Sequence, residues 1–273
     1  RWMWLTATAL IGGFGWGLLL VAFEVMDTRN SASLAAYTLL LAFAVPLLLG
    51  GFAHERLLKA GAAILGAVQI ALIVKQGGFG PLAWGFYGLL SLGAIILARI
   101  DRKLTILPPV ALGIGIVTML FWPNPSGMML ALVASGGVLL FAGSALAEIW
   151  TERGSLRHPI QAAAALGGML IASAIIAPSD LLTSRQWSLL ALAAALPLIG
   201  SAILGARTTL PHRDPRFLIL GIGAAALAAI AMPDLLGMRA LPAAYALGVA
   251  ALVELWRRRP DLDYRGAIGV LLF

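Results

Sequence analysis

An all-α, polytopic transmembrane helix bundle is the fold class this sequence predicts. Three observations carry it: the apolar content, the length of the apolar blocks and the one-sided placement of basic residues. Of 273 residues, 61% are hydrophobic and 11% charged, against about 45–50% and about 25% in soluble domains. A soluble core has no use for that much apolar surface. The excess falls in blocks of about 17 to 22 residues, the length a helix needs to cross roughly 30 Å of hydrocarbon. Inside lipid every backbone N–H and C=O has to be paired within its own segment. The blocks lack the two-residue alternation of barrel strands, so they read as helices.

Taken in order, the blocks predict about ten spans: Leu5 to Phe23, Leu34 to Phe52, Leu57 to Val74, Leu82 to Ala98, Ile106 to Trp122, Gly127 to Ala147, Ile160 to Ile176, Trp187 to Leu204, Phe217 to Ala231 and Ala240 to Trp256. Charge tests the count. If the helices alternate in direction, one set of connections carries Arg56 and Lys59; Arg99, Arg102 and Lys103; Arg153 and Arg157; Arg207, Arg213 and Arg216; and Arg257, Arg258, Arg259 and Arg265. The other set carries only Arg29, Lys75, Arg185 and Arg239. One span more or fewer in mid-chain would scramble this division. It places the amino terminus and the basic loops in the cytoplasm.

The net charge of +7 is also a footprint of nucleic-acid binding. Here the charges sit in small groups at helix ends, so anionic headgroups of the lipid bilayer are the expected partner and nucleic acid is not. Arg102, Lys103, Arg257, Arg258 and Arg259 are the expected headgroup anchors. Tryptophan reads as an interfacial belt, with Trp2, Trp4, Trp150 and Trp256 at the basic boundary and Trp84, Trp122 and Trp187 at the other. With no cysteine, disulfides, thiolate metal sites and cysteine nucleophiles are excluded.

An internal repeat organises these spans. Asp180-Leu181-Leu182-Thr183-Ser184-Arg185 recurs as Asp234-Leu235-Leu236-Gly237-Met238-Arg239, and Ala145-Leu146-Ala147-Glu148-Ile149-Trp150 recurs as Ala251-Leu252-Val253-Glu254-Leu255-Trp256. Both shifts are multiples of about 53 residues. The implied unit is a helical hairpin with a Pro/Gly turn, seen at Gly77-Gly78-Phe79-Gly80-Pro81, Pro123-Asn124-Pro125-Ser126, Pro178-Ser179-Asp180 and Pro233-Asp234. Residues 1–263 then form five hairpins. Residues 264–273 begin a further span, as expected of a fragment of a longer chain. In these features the chain resembles the long polytopic bacterial membrane proteins grouped as a domain-of-unknown-function family. That resemblance implies a bacterial inner membrane, many more hairpins of the same kind, and no known activity or established site.

Ionisable and polar residues at depth are the default functional signal in a membrane. Glu24, Gln69, Glu148 and Glu254 are the candidates; the three glutamates read first as snorkelling or ion-paired carboxylates at the interface, and the matching positions of Glu148 and Glu254 offer the alternative that they hold adjacent hairpins together by bonding loop arginines. Tyr37, Ser91, Thr118, Ser135 and Ser173 read as interhelical hydrogen-bonding groups. His54, His158 and His212 lie far apart, without the spacing of a metal pair. No metal, no cofactor and no catalytic constellation is expected. Gly13 and Gly17, Ala62 and Gly66, Ala163 and Gly167, and Ser201 and Gly205 are spaced for close helix packing. The favoured expectation is a non-enzymatic repeat protein, an envelope scaffold or a subunit binding other membrane protein subunits. The alternative is a small-molecule transporter resembling the ten-helix drug and metabolite exporters, which consist of two inverted halves rather than serial hairpins.

Overall fold

The computed structural model describes residues 3–23, 28–48, 56–151, 155–207 and 215–236, together with 242, 245, 246 and 249. Among these residues it is wholly helical: α1 (Met3–Ala22), α2 (Thr28–Leu48), α3 (Arg56–Gln76), α4 (Pro81–Ile100), α5 (Leu107–Leu120), α6 (Gly127–Val138), α7 (Ser144–Ile149), α8 (Arg157–Ile176), α9 (Ser184–Arg207) and α10 (Pro215–Leu236). A short 3-10 turn, Arg102–Leu104, precedes α5. α6 and α7 are joined by a π-helical segment, Leu139–Gly143, so that 127–149 form a single helical stretch.

Among the described residues seven stretches are long and apolar enough to cross a membrane: Leu58–Gln76, Pro81–Ile100, Arg102–Leu120, Gly127–Ile149, Arg157–Ile176, Ser184–Leu204 and Arg216–Leu236. Shorter apolar stretches, Ala7–Val21 and Ala32–Phe43, lie within α1 and α2. The protein is therefore a multi-pass, membrane-type helical protein. Most of the expected tenth span, 240–256, and the run 264–273 lie outside the described residues.

One boundary is corrected. Pro233-Asp234 does not stop the ninth span, because α10 continues through Pro233 to Leu236. A proline removes one N–H and frees one carbonyl, a loss that a neighbouring donor can make good in a membrane helix. Pro197 likewise lies inside α9.

The chain divides into two units, Arg1–Leu140 and Phe141–Phe273. In the first, α3 is the central helix, packed against α1, α2, α4 and α5. Small residues set these approaches. A Cβ at Gly66 would come within 2.8 Å of the Ala42 Cβ, and one at Gly93 would overlap the Phe43 ring. Leu10, Phe14 and Ala62 form one buried cluster of α1 and α3. Val21, Leu34, Ala35 and Ile73 form another, joining α1, α2 and α3.

In the second unit α10 is central, packed on both α8 and α9. The expected small-residue pair Ala163 and Gly167 faces α10: a Cβ at Gly223 would lie 2.8 Å from the Ala163 Cβ, and one at Gly167 would lie 3.8 Å from Leu227. The broadest helix contacts, α2 with α3 and α9 with α10, join helices connected on the basic side.

Gly223→Ala should lower the thermal stability of the purified protein, because the added methyl meets Ala163 beside its backbone and overpacking costs about 1–3 kcal/mol. Gly221→Ala, with nothing within 4 Å of the added carbon, should be neutral or slightly stabilising. Equal melting temperatures for the two variants would contradict this packing.

Candidate functional site

The two ends of the helices differ in chemistry within each unit. In the first unit the turn after α3 closes with Phe79 N–H donating to the Val74 carbonyl at 2.8 Å. Gly78 and Phe79 both take left-handed φ values, 68° and 59°. That conformation is easy for glycine and strained for phenylalanine. It delivers the Phe79 ring onto Trp122, with centroids 5.6 Å apart and planes 7° from parallel. Trp84 packs on Trp122 at 5.4 Å and edge-on to Tyr87 at 5.9 Å. Lys75 Nζ sits 5.3 Å from the Phe121 centroid. Trp84, near the start of α4, and Trp122, just after α5, are thus buried against each other and do not form an exposed belt. Trp84 Nε1 has no acceptor among the described residues.

Below this plug, Tyr87 OH donates to the Ala111 carbonyl of α5 in a short bond. Gly115 permits this approach, since a Cβ there would press on the tyrosine ring at 3.0 Å. Gln69 behaves differently. Its side chain is 1% exposed, and neither Oε1 nor Nε2 has a hydrogen-bond partner among the described residues. The carboxamide rests against Gly17 of α1, where any β-carbon would overlap it. Gly13, one turn away, faces Leu41 and the Tyr37 hydroxyl of α2. The Gly13/Gly17 pair is therefore a packing face, and one of the groups it covers is an unsatisfied amide.

The expected interhelical groups divide. Thr118 bonds its own helix at the Ile114 carbonyl, 2.7 Å, and Ser135 does so at Leu132, 3.3 Å. The hydroxyls of Ser91 and Ser173 are buried without partners among the described residues. Arg102 and Lys103 are exposed in the 3-10 turn, where Lys103 N–H donates to Asp101 Oδ1 at 2.9 Å. Glu24, Glu254 and Arg257, Arg258 and Arg259 lie outside the described residues.

In the second unit, side chains of one segment repeatedly serve backbone carbonyls of another. The π segment shifts the ladder from i+4 to i+5 and so frees a carbonyl. The Phe141 carbonyl there accepts from Gln161 Nε2 of α8 at 3.0 Å and from Ser144 Oγ at 3.2 Å. The last carbonyls of a helix lack partners, and that of Ile149 accepts from Arg216 Nη1 of α10 at 3.1 Å. Pro233 cannot donate to Ala229, four residues earlier, and the Ala229 carbonyl accepts from Tyr245 OH at 3.1 Å. At the opposite end, Ser188 Oγ of α9 donates to Asp234 Oδ2 of α10 at 3.1 Å.

Glu148, partly buried at the end of α7, accepts from Thr151 Oγ1 on both its carbonyl (2.8 Å) and Oε2 (3.4 Å). His158 and Arg216 share its surroundings. Arg216, from the next basic connection, reaches this turn and donates to the neighbouring Ile149 carbonyl. Among the described residues no group of three or more His, Cys, Asp or Glu side chains is arranged to hold a metal ion.

Gln161, Tyr87 and Tyr245 were not singled out in the sequence. Their partners are backbone carbonyls, which leave no mark in the side-chain pattern. The one available signal was proline at position 233, which announces a released carbonyl at Ala229. No family model, curated protein or solved structure matches the chain.

Tyr245→Phe should destabilise the protein by about 0.6 kcal/mol, and by up to about 1.7, as interhelical hydrogen bonds in membranes do. In a Pro233→Ala background the helix recovers its own donor, and the effect of Tyr245→Phe should largely vanish. Additive losses in the double-mutant cycle would remove the link between tyrosine and proline.

Proposed function

We propose that this chain is a non-enzymatic membrane repeat protein, a scaffold or subunit of a larger membrane assembly in a bacterial inner membrane. The observation that carries this reading is the use of polar side chains in the second unit. Gln161, Arg216 and Tyr245 each serve a backbone carbonyl of another helical segment. Polar groups engaged in this way fix helices against one another and are occupied as glue. In this reading the chain has about ten spans in five serial hairpins, with the amino terminus and basic loops cytoplasmic. The resemblance to long hairpin-repeat membrane proteins belongs to the same proposal.

The alternative is transport. One observation favours it: the Gln69 carboxamide, buried in the first unit without a partner among the described residues, is what a polar permeant or a water file would use. The cysteine-free sequence separates the readings. Gln69→Cys should resist a small impermeant thiol reagent from both sides of the membrane if the site is packing, and should react if water reaches it.

Sidedness has its own test. Asp180→Cys and Asp234→Cys should label in intact cells, and Asp101→Cys only after permeabilisation. Labelling of Asp101→Cys in intact cells would overturn the orientation. In mild detergent the native protein should migrate in an assembly larger than one 28.5 kDa chain. Migration as a lone chain, together with reaction at position 69, would favour the transporter.

A further inference from the structure

Three helix ends meet on the basic side of the second unit. α7 ends at Ile149, whose carbonyl accepts from Arg216 at the start of α10, 3.1 Å away. The next residue, Trp150, packs its ring on Phe217, with centroids 6.0 Å apart. α8 begins at Arg157. Its first turn is closed by the Ser155 N–H, which donates to His158 Nδ1 at 3.0 Å. His158 lies within electrostatic range of Arg157, Arg216 and Glu148.

Two arginines and one described carboxylate thus lie within electrostatic range of His158. The cluster is cationic on balance. Beside it lies an apolar shelf: Trp150 is 41% exposed and Phe217 is partly buried.

We propose that the ends of α7, α8 and α10 bind the phosphate-bearing headgroup of an anionic phospholipid, with Arg157 and Arg216 facing the phosphate and the Trp150–Phe217 shelf under the glycerol region. A guanidinium has five N–H donors in a planar fork, so Arg216 can serve the Ile149 carbonyl and a phosphate oxygen together. Indole rings settle at headgroup level, and basic clusters between helix ends attract anionic lipid. A free phosphate would satisfy the arginines but leave the aromatic shelf without an occupant. This inference rests on the chain spanning a bilayer and is independent of the scaffold reading.

The test is native mass spectrometry and thermal melting of the full chain, titrated with phosphatidylglycerol, phosphatidylcholine or inorganic phosphate. Wild type should retain phosphatidylglycerol in preference to phosphatidylcholine and melt higher with it. Arg157→Gln should weaken that binding about fivefold, the factor equivalent to about 1 kcal/mol for one arginine near a membrane surface. Arg185→Gln, exposed at the opposite end of the spans, should leave it unchanged. Arg216→Gln is a second probe should Arg157→Gln not fold, and it should weaken binding in the same direction. Equal retention of the two lipids, wild-type affinity in the cluster variants, an equal loss in Arg185→Gln, or inorganic phosphate binding as tightly as the lipid would each overturn the proposal.

Discussion

The structure depends on one constraint: a backbone carbonyl inside hydrocarbon has no water to turn to. A regular helix meets that demand from within, and the long apolar blocks of this chain do so for most of their length. Difficulty arises only where the ladder is interrupted, at a π segment, a proline or a helix end. At each of three such places in the second unit, Phe141, Ala229 and Ile149, a donor from another segment occupies the released carbonyl. The irregularities and the tertiary contacts are therefore the same feature seen from two sides. A helix that satisfied all its own carbonyls would give its neighbours little to recognise beyond shape.

The first unit solves its packing differently. There shape dominates, with Gly13, Gly17, Gly66 and Gly93 bringing helices close enough for side chains of one to lie on the backbone of another. Tyr87 reaches the Ala111 carbonyl over Gly115 by the same means. Between these apolar contacts lies Gln69, a buried amide with neither atom paired among the described residues. An unsatisfied polar group in a low-dielectric interior is expensive. Its presence in a segment otherwise so uniformly apolar is why a transport reading stays beside the scaffold reading.

Much of the fold was legible in the sequence because it follows from solvent. Helix class, approximate span positions and the segregation of basic from Pro/Gly-rich ends all derive from what hydrocarbon and headgroups tolerate. The meeting of Arg216 with the end of α7, and of Ser188 with Asp234, places like ends together within the second unit, as the charge division requires. Ala163 and Gly167 face α10, as their spacing suggests, though the partner residue, Gly223, was not identifiable. What the sequence left hidden is register and partner choice. Pro233 looked like a stop because its missing donor is a local fact, whereas Tyr245, which makes that loss tolerable, is twelve residues away. The π segment has no residue signature at all, since Leu139-Leu140-Phe141-Ala142-Gly143 would serve equally well in an ordinary helix.

Tryptophan illustrates why depth and role are separate questions. Trp84 and Trp122 stand at helix ends, where the amphipathic indoles of a spanning bundle are expected to meet the interface, yet each is buried on the other. Sequence position determines how deep a ring sits, while the turn determines which way it faces. The turn in question holds Phe79 in a left-handed conformation. Its strain is offset by stacking on Trp122 and by the hydrogen bond from its own N–H to Val74. The aromatic plug is thus the first unit's counterpart to the carbonyl-serving donors of the second. In each case a local departure from regular backbone is tolerated only because another segment supplies what the departure costs, and that mutual need selects one arrangement among the many that Ala- and Leu-rich helices would otherwise share.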